Sequence, residues 1–145
     1  MIQVIYASAA TRPFTREELF ELLEDSRLKN SQHGLSGMLL YHGGAFLQVI
    51  EGEEADVEQL YEKIKRDERH ENVRLIARFP IEERCFGDWK MGFYDSTGSA
   101  LAEIPGFMDI FRHGLPVCEE TCDRAVGVLR QFRRGQWHQK PHSVA

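Results

Sequence analysis

One amide in an apolar segment is the first feature of this sequence that could do chemistry. The segment AFLQVIEG, residues 45–52, reads as a buried strand, and Gln48 lies at its centre on the face that it shares with Phe46 and Ile50. An amide has two N–H donors and two acceptor lone pairs, and burying them costs free energy unless partners are supplied. The sequence therefore predicts a polar partner for Gln48.

A phenol and a second amide are predicted close to Gln48. Tyr6 belongs to the alternating run MIQVIYAS, and Asn30 ends the helical run that follows it. The ordinary structural explanation is that the Tyr6 hydroxyl satisfies Gln48, while Asn30 caps its helix in the left-handed conformation. Alternatively, the three side chains border a gap between two helices, and that gap could hold a flat heteroaromatic ligand.

The first half of the chain must position these side chains through one helix and one hairpin. Thr15 and Glu18 have capping-box spacing, which predicts a helix from about Thr15 to about Asn30. The segment GLSGMLLYHGGAFLQVIEG contains two apolar runs on either side of residues 42–44. Because glycine permits the positive φ of a tight turn, this segment predicts a β-hairpin.

The next segments predict a second helix and two more strands. In EEADVEQLYEKIKRDERH the apolar residues recur at helical spacing, so a helix ending near Arg69 is expected, with Lys63 and Asp67 as an i, i+4 pair. The run NVRLIARFPI alternates as a half-solvated strand does, with one apolar face formed by four residues: Val73, Leu75, Ala77 and Phe79. The run WKMGFY predicts a fifth strand that carries Trp89 and Met91.

The resulting order, β-α-β-β-α-β-β, predicts an α+β fold of the ferredoxin-like type. We expect a five-stranded mixed sheet, mostly antiparallel, with both helices on one face. Residues 1–95 form this domain, and residues 96–145 form a helical C-terminal extension that caps the open face of the sheet or serves in signalling.

Composition excludes several classes of protein. The 145-residue chain has a formal net charge of −5 and a pI near 5.7, which argues against nucleic-acid binding. Neither a signal peptide nor a membrane-spanning run is recognisable, so we expect a cytoplasmic location without membrane association. The spacing of Cys85, Cys118 and Cys122 fits neither a disulfide framework nor a zinc site, and all three are interpreted as ordinary thiols.

Several motifs together resemble those of the BLUF domains, a family of blue-light sensors that use flavin. They are VIYAS with Tyr6, SRLKN with Asn30, GLSGMLLYHGGAFLQVIEG with Gln48, KIKRDERH, and FGDWKMGF with Trp89 and Met91. The resemblance covers about residues 1–95. The chain departs from the family at Lys29, where Asn or His is usual.

The resemblance implies a flavin, usually FAD and otherwise FMN or riboflavin, between the two helices. Gln48 is implied to bridge Tyr6 to the N5 and O4 edge of the flavin, and Asn30 to bind the O4 and N3 edge. Further positions implied to lie at the flavin site are Lys63 and Asp67 beside the pyrimidine side and ribityl chain, Arg69 and His70 towards the phosphate end, and Ile64 and Lys29.

The resemblance also implies a photochemical switch without catalysis by the chain itself. Tyr6 is implied to give an electron and then a proton to the excited flavin, after which Gln48 rotates or tautomerises and the absorption shifts to the red. The change is expected to reach strand five, with Trp89 and Met91, and then the C-terminal helices and a separate effector protein. A homo-oligomer is also expected.

Two other functions and one open question remain at this stage. A flavin oxidoreductase is disfavoured, since the residues implied near N5 include no evident general base; a light-independent interaction module is the other alternative. The C-terminal stretch Arg124–Lys140 is either a cap helix with a solvated basic tail or a docking surface for an acidic partner. Its basic and aromatic residues are Arg130, Arg133, Arg134, Lys140, Phe132 and Trp137.

Overall fold

The computed structural model describes residues 1–12, 14–42, 44–86, 92–95 and 119–134. Within them the strands are β1 (Ile2–Ala10), β2 (Ser36–His42), β3 (Ala45–Gly52), β4 (His70–Pro80) and β5 (Gly92–Asp95). The helices are α1 (Arg16–His33), α2 (Glu54–Lys65) and α3 (Glu119–Arg133).

The strands form one sheet of order β4-β1-β3-β2-β5. β1 lies antiparallel to β3 and β4, β2 lies antiparallel to β3, and β5 runs parallel to β2. Gly44 has φ 94° in the β2–β3 turn, a conformation that glycine adopts without the steric cost of a side chain. The predicted α+β class, with antiparallel strands and helices, is confirmed.

Helix α1 begins as predicted and ends later than predicted. The Thr15 side chain accepts from the Glu18 N–H, and the Glu18 carboxylate accepts from the Thr15 N–H, so the capping box is complete. The C-cap is Gly34, in the left-handed region at φ 65°, and its N–H donates to the carbonyl of Asn30. Asn30 therefore lies inside the helix, and its interpretation as a left-handed cap is wrong.

Helix α2 ends at Lys65, four residues before the predicted end near Arg69, with Arg66 as its C-cap. Asp67 consequently lies beyond the helix, and the predicted i, i+4 pair of Lys63 with Asp67 is wrong. The Asp67 carboxylate accepts instead from Arg69, which lies in the turn that leads into β4.

A bulge in β4 divides the face that the sequence predicts for this strand. Ile5 lies opposite Ala77 and Tyr6 opposite Leu75, so Ile76 is an extra residue between these pairs. The single apolar face predicted for β4 is therefore wrong. Val73 packs on the side of α1 and α2, whereas Ala77 and Phe79 pack on the opposite side of the sheet.

The two faces of the sheet pack against different helices. The face called here the α1/α2 face contacts α1 through Leu19 and Leu23 and α2 through Val57. The opposite face, called the α3 face, packs against three buried residues of α3: Ala125, Leu129 and Phe132. Phe132 is thus part of the core, while Arg130 and Arg134 are exposed.

Several predictions concern residues outside the described part of the chain, namely Trp89, Met91, Trp137 and Lys140. Cys85 is disulfide-bonded, so its interpretation as an ordinary thiol is wrong. The side chains of the other cysteines, Cys118 and Cys122, are outside the described residues. No helix in the described ranges is both long and apolar enough to cross a membrane.

Candidate functional site

A cavity of about 220 Å³ lies between α1, α2 and the sheet. Every predicted site residue in the described part of the chain lines it: Tyr6, Lys29, Asn30, Gln48, Lys63, Ile64, Asp67, Arg69 and His70. The structure therefore brings together side chains from β1, both helices, β3 and the turn before β4.

Tyr6 and Gln48 meet on neighbouring strands at the inner end of the cavity. They are directly opposite in the antiparallel register of β1 and β3, so their side chains leave the same face of the sheet. The Tyr6 hydroxyl donates to Oε1 of Gln48, and both residues are buried. The NH₂ group forms the other end of the Gln48 amide. The predicted contact between the phenol and the amide is present.

The surroundings of Tyr6 keep its hydroxyl protonated. Burial raises the pKa of Tyr6 well above its ordinary value, and the nearby Tyr61 and Asp67 raise it further. The Tyr61 ring packs edge-on against Tyr6, with 5.6 Å between ring centroids. Tyr6 is thus a neutral hydrogen-bond donor near neutral pH.

Asn30 and Lys29 are adjacent on α1 but have different environments. Asn30 is 1% exposed and lines the cavity, so its side chain lies at the wall rather than in solvent. The Lys29 side chain is 54% exposed, and its Nζ lies 3.1 Å from Asp25 Oδ2 one turn earlier. The Lys29 substitution therefore places an ion pair at the rim and leaves Asn30 at the wall.

Asp67 and Arg69 form an ion pair at the rim of the cavity. Arg69 donates from Nε at 3.0 Å to Oδ1 and from Nη2 at 2.6 Å to Oδ2, and its backbone N–H donates at 2.9 Å. These hydrogen bonds from Arg69 lower the pKa of Asp67 and raise that of Arg69. Lys63 also lines the cavity, and it has no ion pair among those of the described residues.

His70 joins β1 to the end of α2 and is more buried than the neighbouring Arg69. Its Nδ1 lies 2.9 Å from Ser8 Oγ, and its Nε2 hydrogen-bonds the carbonyl of Ile64. Burial lowers the pKa of His70 below its ordinary value. The sequence analysis missed Ser8, although it shares the face of Tyr6 by simple alternation along β1.

Apolar side chains form the walls between these polar groups: Phe14, Leu22, Leu39, Phe46, Leu60 and Ile64. An apolar cavity of about 150 Å³ is sufficient for benzene, so this cavity has room for an aromatic ring. Apolar walls, two amides and a charged rim that includes Lys29, Lys63 and Arg69 fit the chemistry of a flavin, whose ring is flat and whose tail is charged. No cluster of potential metal ligands occurs among the described residues.

Curated relatives match most of this chain but are much longer. The chain is 40% identical over 110 residues to the photoactivated adenylate cyclase subunit alpha of Euglena gracilis, covering 76% of this chain and 11% of the relative. It is 35% identical over 106 residues to the subunit beta of Euglena longa, covering 72% and 12%.

Solved structures share the fold. BlrB, a BLUF protein in its dark state, has a TM-score of 0.66 and 26% identity, with 92% of this chain and 95% of that chain covered. Klebsiella pneumoniae BlrP1, in a calcium and cyclic diGMP complex, has a TM-score of 0.73 and 30% identity, with 92% and 34% covered.

The family model described as "BLUF: Sensors of blue-light using FAD" matches residues 1–92. This range contains β1 to β4, both helices that form the cavity, and every described residue that lines it. The chain belongs to the BLUF family of blue-light flavin sensors.

Proposed function

We propose that this chain binds FAD between α1 and α2 and works as a photoreceptor that signals to a separate effector protein. The observation that carries this proposal is the buried hydrogen bond from Tyr6 to Gln48 at the inner end of the cavity. It supports the proposal because a flavin ring between the helices would then be one amide away from a phenol that carries its proton.

The residues around the cavity have separate roles in holding the flavin. Asn30 and Gln48 hydrogen-bond the polar edge of the ring, because their amides offer both donors and acceptors. Ile64 packs against a ring face, and Lys63 and Asp67 contact the pyrimidine side and the ribityl chain. Lys29, Arg69 and His70 border the outer part of the ligand, where the cations Lys29 and Arg69 favour a diphosphate.

When bound and excited by blue light, the flavin supplies a strong one-electron oxidant. Tyr6 would give an electron to it and then its hydroxyl proton; burial raises the pKa of Tyr6, so the phenol starts in its protonated form. Gln48 responds by rotating or tautomerising, which exchanges donor and acceptor at its two ends. The electron and the proton return to Tyr6, and the new orientation of Gln48 persists as the signal.

The signal leaves the cavity through the sheet and reaches the C-terminal extension. We assign Trp89, Met91 and β5 to its first part, and the helical cap formed by α3 to the output surface. The two relatives are named as photoactivated adenylate cyclase subunits, which links light to an enzymatic output in those proteins. For this chain, we propose an effector carried on another polypeptide and no catalysis by residues 1–145.

Absorption spectroscopy of the purified chain tests this proposal directly. The protein is reconstituted separately with FAD and FMN, and spectra are taken in darkness, under blue light and during recovery. A reversible shift of the flavin bands to the red supports the photoreceptor, and tighter binding of FAD supports the flavin assignment. Bleaching with NADH turnover would identify an oxidoreductase instead, and failure to bind either flavin would identify a light-independent module.

A further inference from the structure

The α3 face contains a buried carboxylate that the flavin site does not use. Glu51 is 0% exposed and lies near the C-terminal end of β3, the middle strand of the sheet, opposite Gln3 on β1 and Ser36 on β2. Its Oε2 accepts from Gln3 Nε2 at 3.1 Å and from the Cys85 N–H at 2.9 Å. Its Oε1 accepts from Ser36 Oγ at 3.1 Å and from the Phe86 N–H.

These four donors match the acceptor capacity of one carboxylate. Two of them come from the neighbouring strands, and two are backbone N–H groups of the segment 84–86, called here the clasped loop. Charge-assisted hydrogen bonds of this kind are about twice as strong as neutral ones. The clasped loop is therefore attached to β3 through the Glu51 side chain.

The clasped loop is also in contact with the C-terminal helix. Cys85 and Phe86 are each 2% exposed and belong to the same apolar cluster as Ala125, Leu129 and Phe132 of α3. On the other side of the connection, Glu51 lies three residues after Gln48 on β3, with its side chain on the opposite face of the sheet. One strand thus carries the amide at the cavity and the carboxylate that holds the clasped loop.

We propose that Glu51 is the positioning residue that transmits the light-induced change from β3 to α3 through the clasped loop. This inference rests on the proposed photoreceptor function and assigns the step to α3 to a route that is separate from Trp89, Met91 and β5. A change in the backbone of β3 at Gln48 moves the Glu51 carboxylate, and the N–H groups of Cys85 and Phe86 follow it. Phe86 then alters its packing against α3.

The Glu51→Gln substitution weakens this connection selectively, because one loop N–H keeps its acceptor and Arg84 still donates to the backbone carbonyl of residue 51. If the new NH₂ group takes the position of Oε2, Gln3 can rotate and present its Oε1, a buried acceptor without a partner among the described residues. If it takes the position of Oε1, the Ser36 hydroxyl, which already accepts from Arg84 Nη1 at 3.1 Å, can rotate and accept a second hydrogen bond. In either orientation the side chain on the neighbouring strand rotates and keeps a hydrogen bond to residue 51, whereas one N–H of the clasped loop loses its acceptor.

The test combines spectroscopy with hydrogen exchange on the FAD-loaded full chain, in darkness and under continuous blue light. In Glu51→Gln the red shift remains, exchange at the Cys85 or Phe86 amide accelerates about tenfold or more, and the light-dependent difference in exchange across residues 125–132 disappears. Gln3→Met is the matched control, since it removes a strand donor but keeps both loop hydrogen bonds. This control retains the light-dependent difference.

The outcomes separate the two proposals. Absence of a red shift in the wild-type protein contradicts the photoreceptor function itself. A red shift with a normal light-dependent difference at α3 in Glu51→Gln overturns the role of Glu51 alone. Should this variant fail to fold, the wild-type protein still decides, because identical exchange at Cys85 and Phe86 in darkness and light also overturns it.

Discussion

The two faces of the sheet bury polar side chains in different ways. On the α1/α2 face, Tyr6, Gln48 and Asn30 border a cavity large enough for a ring system. On the α3 face, Glu51 is surrounded by donors from the protein itself. Polar groups around a cavity can change partners when a ligand is present, whereas a saturated carboxylate holds its neighbours in place. A sensor needs both properties, one to detect and one to transmit.

The largest effect is expected when the Tyr6 hydroxyl is removed from the cavity. Tyr6→Phe keeps the ring and deletes the donor to Gln48, so flavin still binds and the light-induced red shift is abolished. Difference absorption spectra before and after blue light measure this loss. Tyr61→Phe is the matched control, because Tyr61 packs against Tyr6 but does not line the cavity. A normal red shift in Tyr6→Phe contradicts the assignment of the donor.

A second substitution tests the α3 face next to the photochemical amide. Leu47 precedes Gln48, points to the α3 face and is fully buried. Leu47→Ala is expected to lower the free energy of unfolding by ~2–5 kcal/mol, as cavity-forming core substitutions do. Denaturant unfolding measures the loss, and the red shift of the folded fraction is retained. Loss of the red shift with little destabilisation would show that the two faces are not separate in function.

A smaller effect is expected when the Asn30 amide is removed from the wall of the cavity. Asn30→Leu keeps a side chain branched at Cγ while removing the polar group, so flavin affinity falls by about tenfold, as expected for one lost hydrogen bond to a buried partner. Titration of the flavin-free protein, followed by flavin fluorescence, gives the affinity. Gln32→Leu, at an exposed position of the same helix, controls for the added apolar side chain. Equal affinities in the two variants contradict a binding role for Asn30.

The smallest effect concerns the pH dependence of stability. The pKa of His70 is below its ordinary value in the folded protein, mainly because of burial. Between the pKa of His70 in the folded protein and about 6.5, its pKa in the unfolded chain, the unfolded chain binds more protons than the folded one. The contribution of His70 to the free energy of unfolding is therefore fully present above this range. It falls as the pH decreases through the range, by at most ~1.4 kcal/mol per pH unit. Unfolding of wild-type protein and His70→Gln from pH 7.5 to 5.5 checks this. The variant should show a flatter profile; parallel profiles would exclude His70.

Local patterns predict much of the fold and of the site. The Thr15 and Glu18 spacing predicts the start of α1, and alternation along β1 and β3 predicts that Tyr6 and Gln48 share a face. The ends of helices are harder to predict from the sequence. Residues Ser31, Gln32 and His33 extend α1, but no apolar residue among them continues the helical pattern. Helix α2 is shorter than predicted because its apolar spacing stops at Ile64, and beyond the C-cap Arg66 the Asp67 carboxylate accepts from Arg69.

The α3 face is where sequence reasoning is weakest. A charged residue followed by glycine, as in Glu51 and Gly52, predicts the solvent-exposed end of a strand. The strand does end there, but the Glu51 carboxylate is buried. Its partners Cys85 and Phe86 are more than 30 positions away and have no regular spacing. Only the three-dimensional structure reveals that these distant groups complete the environment of the carboxylate.

The extra residue Ile76 changes the face of the sheet on which the odd-numbered side chains of β4 lie. From Val73 to Leu75 they point towards the helices around the cavity, and after Ile76 they point towards α3. A second register shift, opposite Ala7–Ala9 of β1, allows the even-numbered His70 to line the cavity as well. Beyond Ile76, the even-numbered Arg78 consequently reaches α2, where it donates to Glu54 at 2.7 Å. An insertion or deletion near Ile76 therefore acts like a frameshift for the remainder of β4. Alignments and chimaeras that join this domain to new effectors must preserve that one-residue offset.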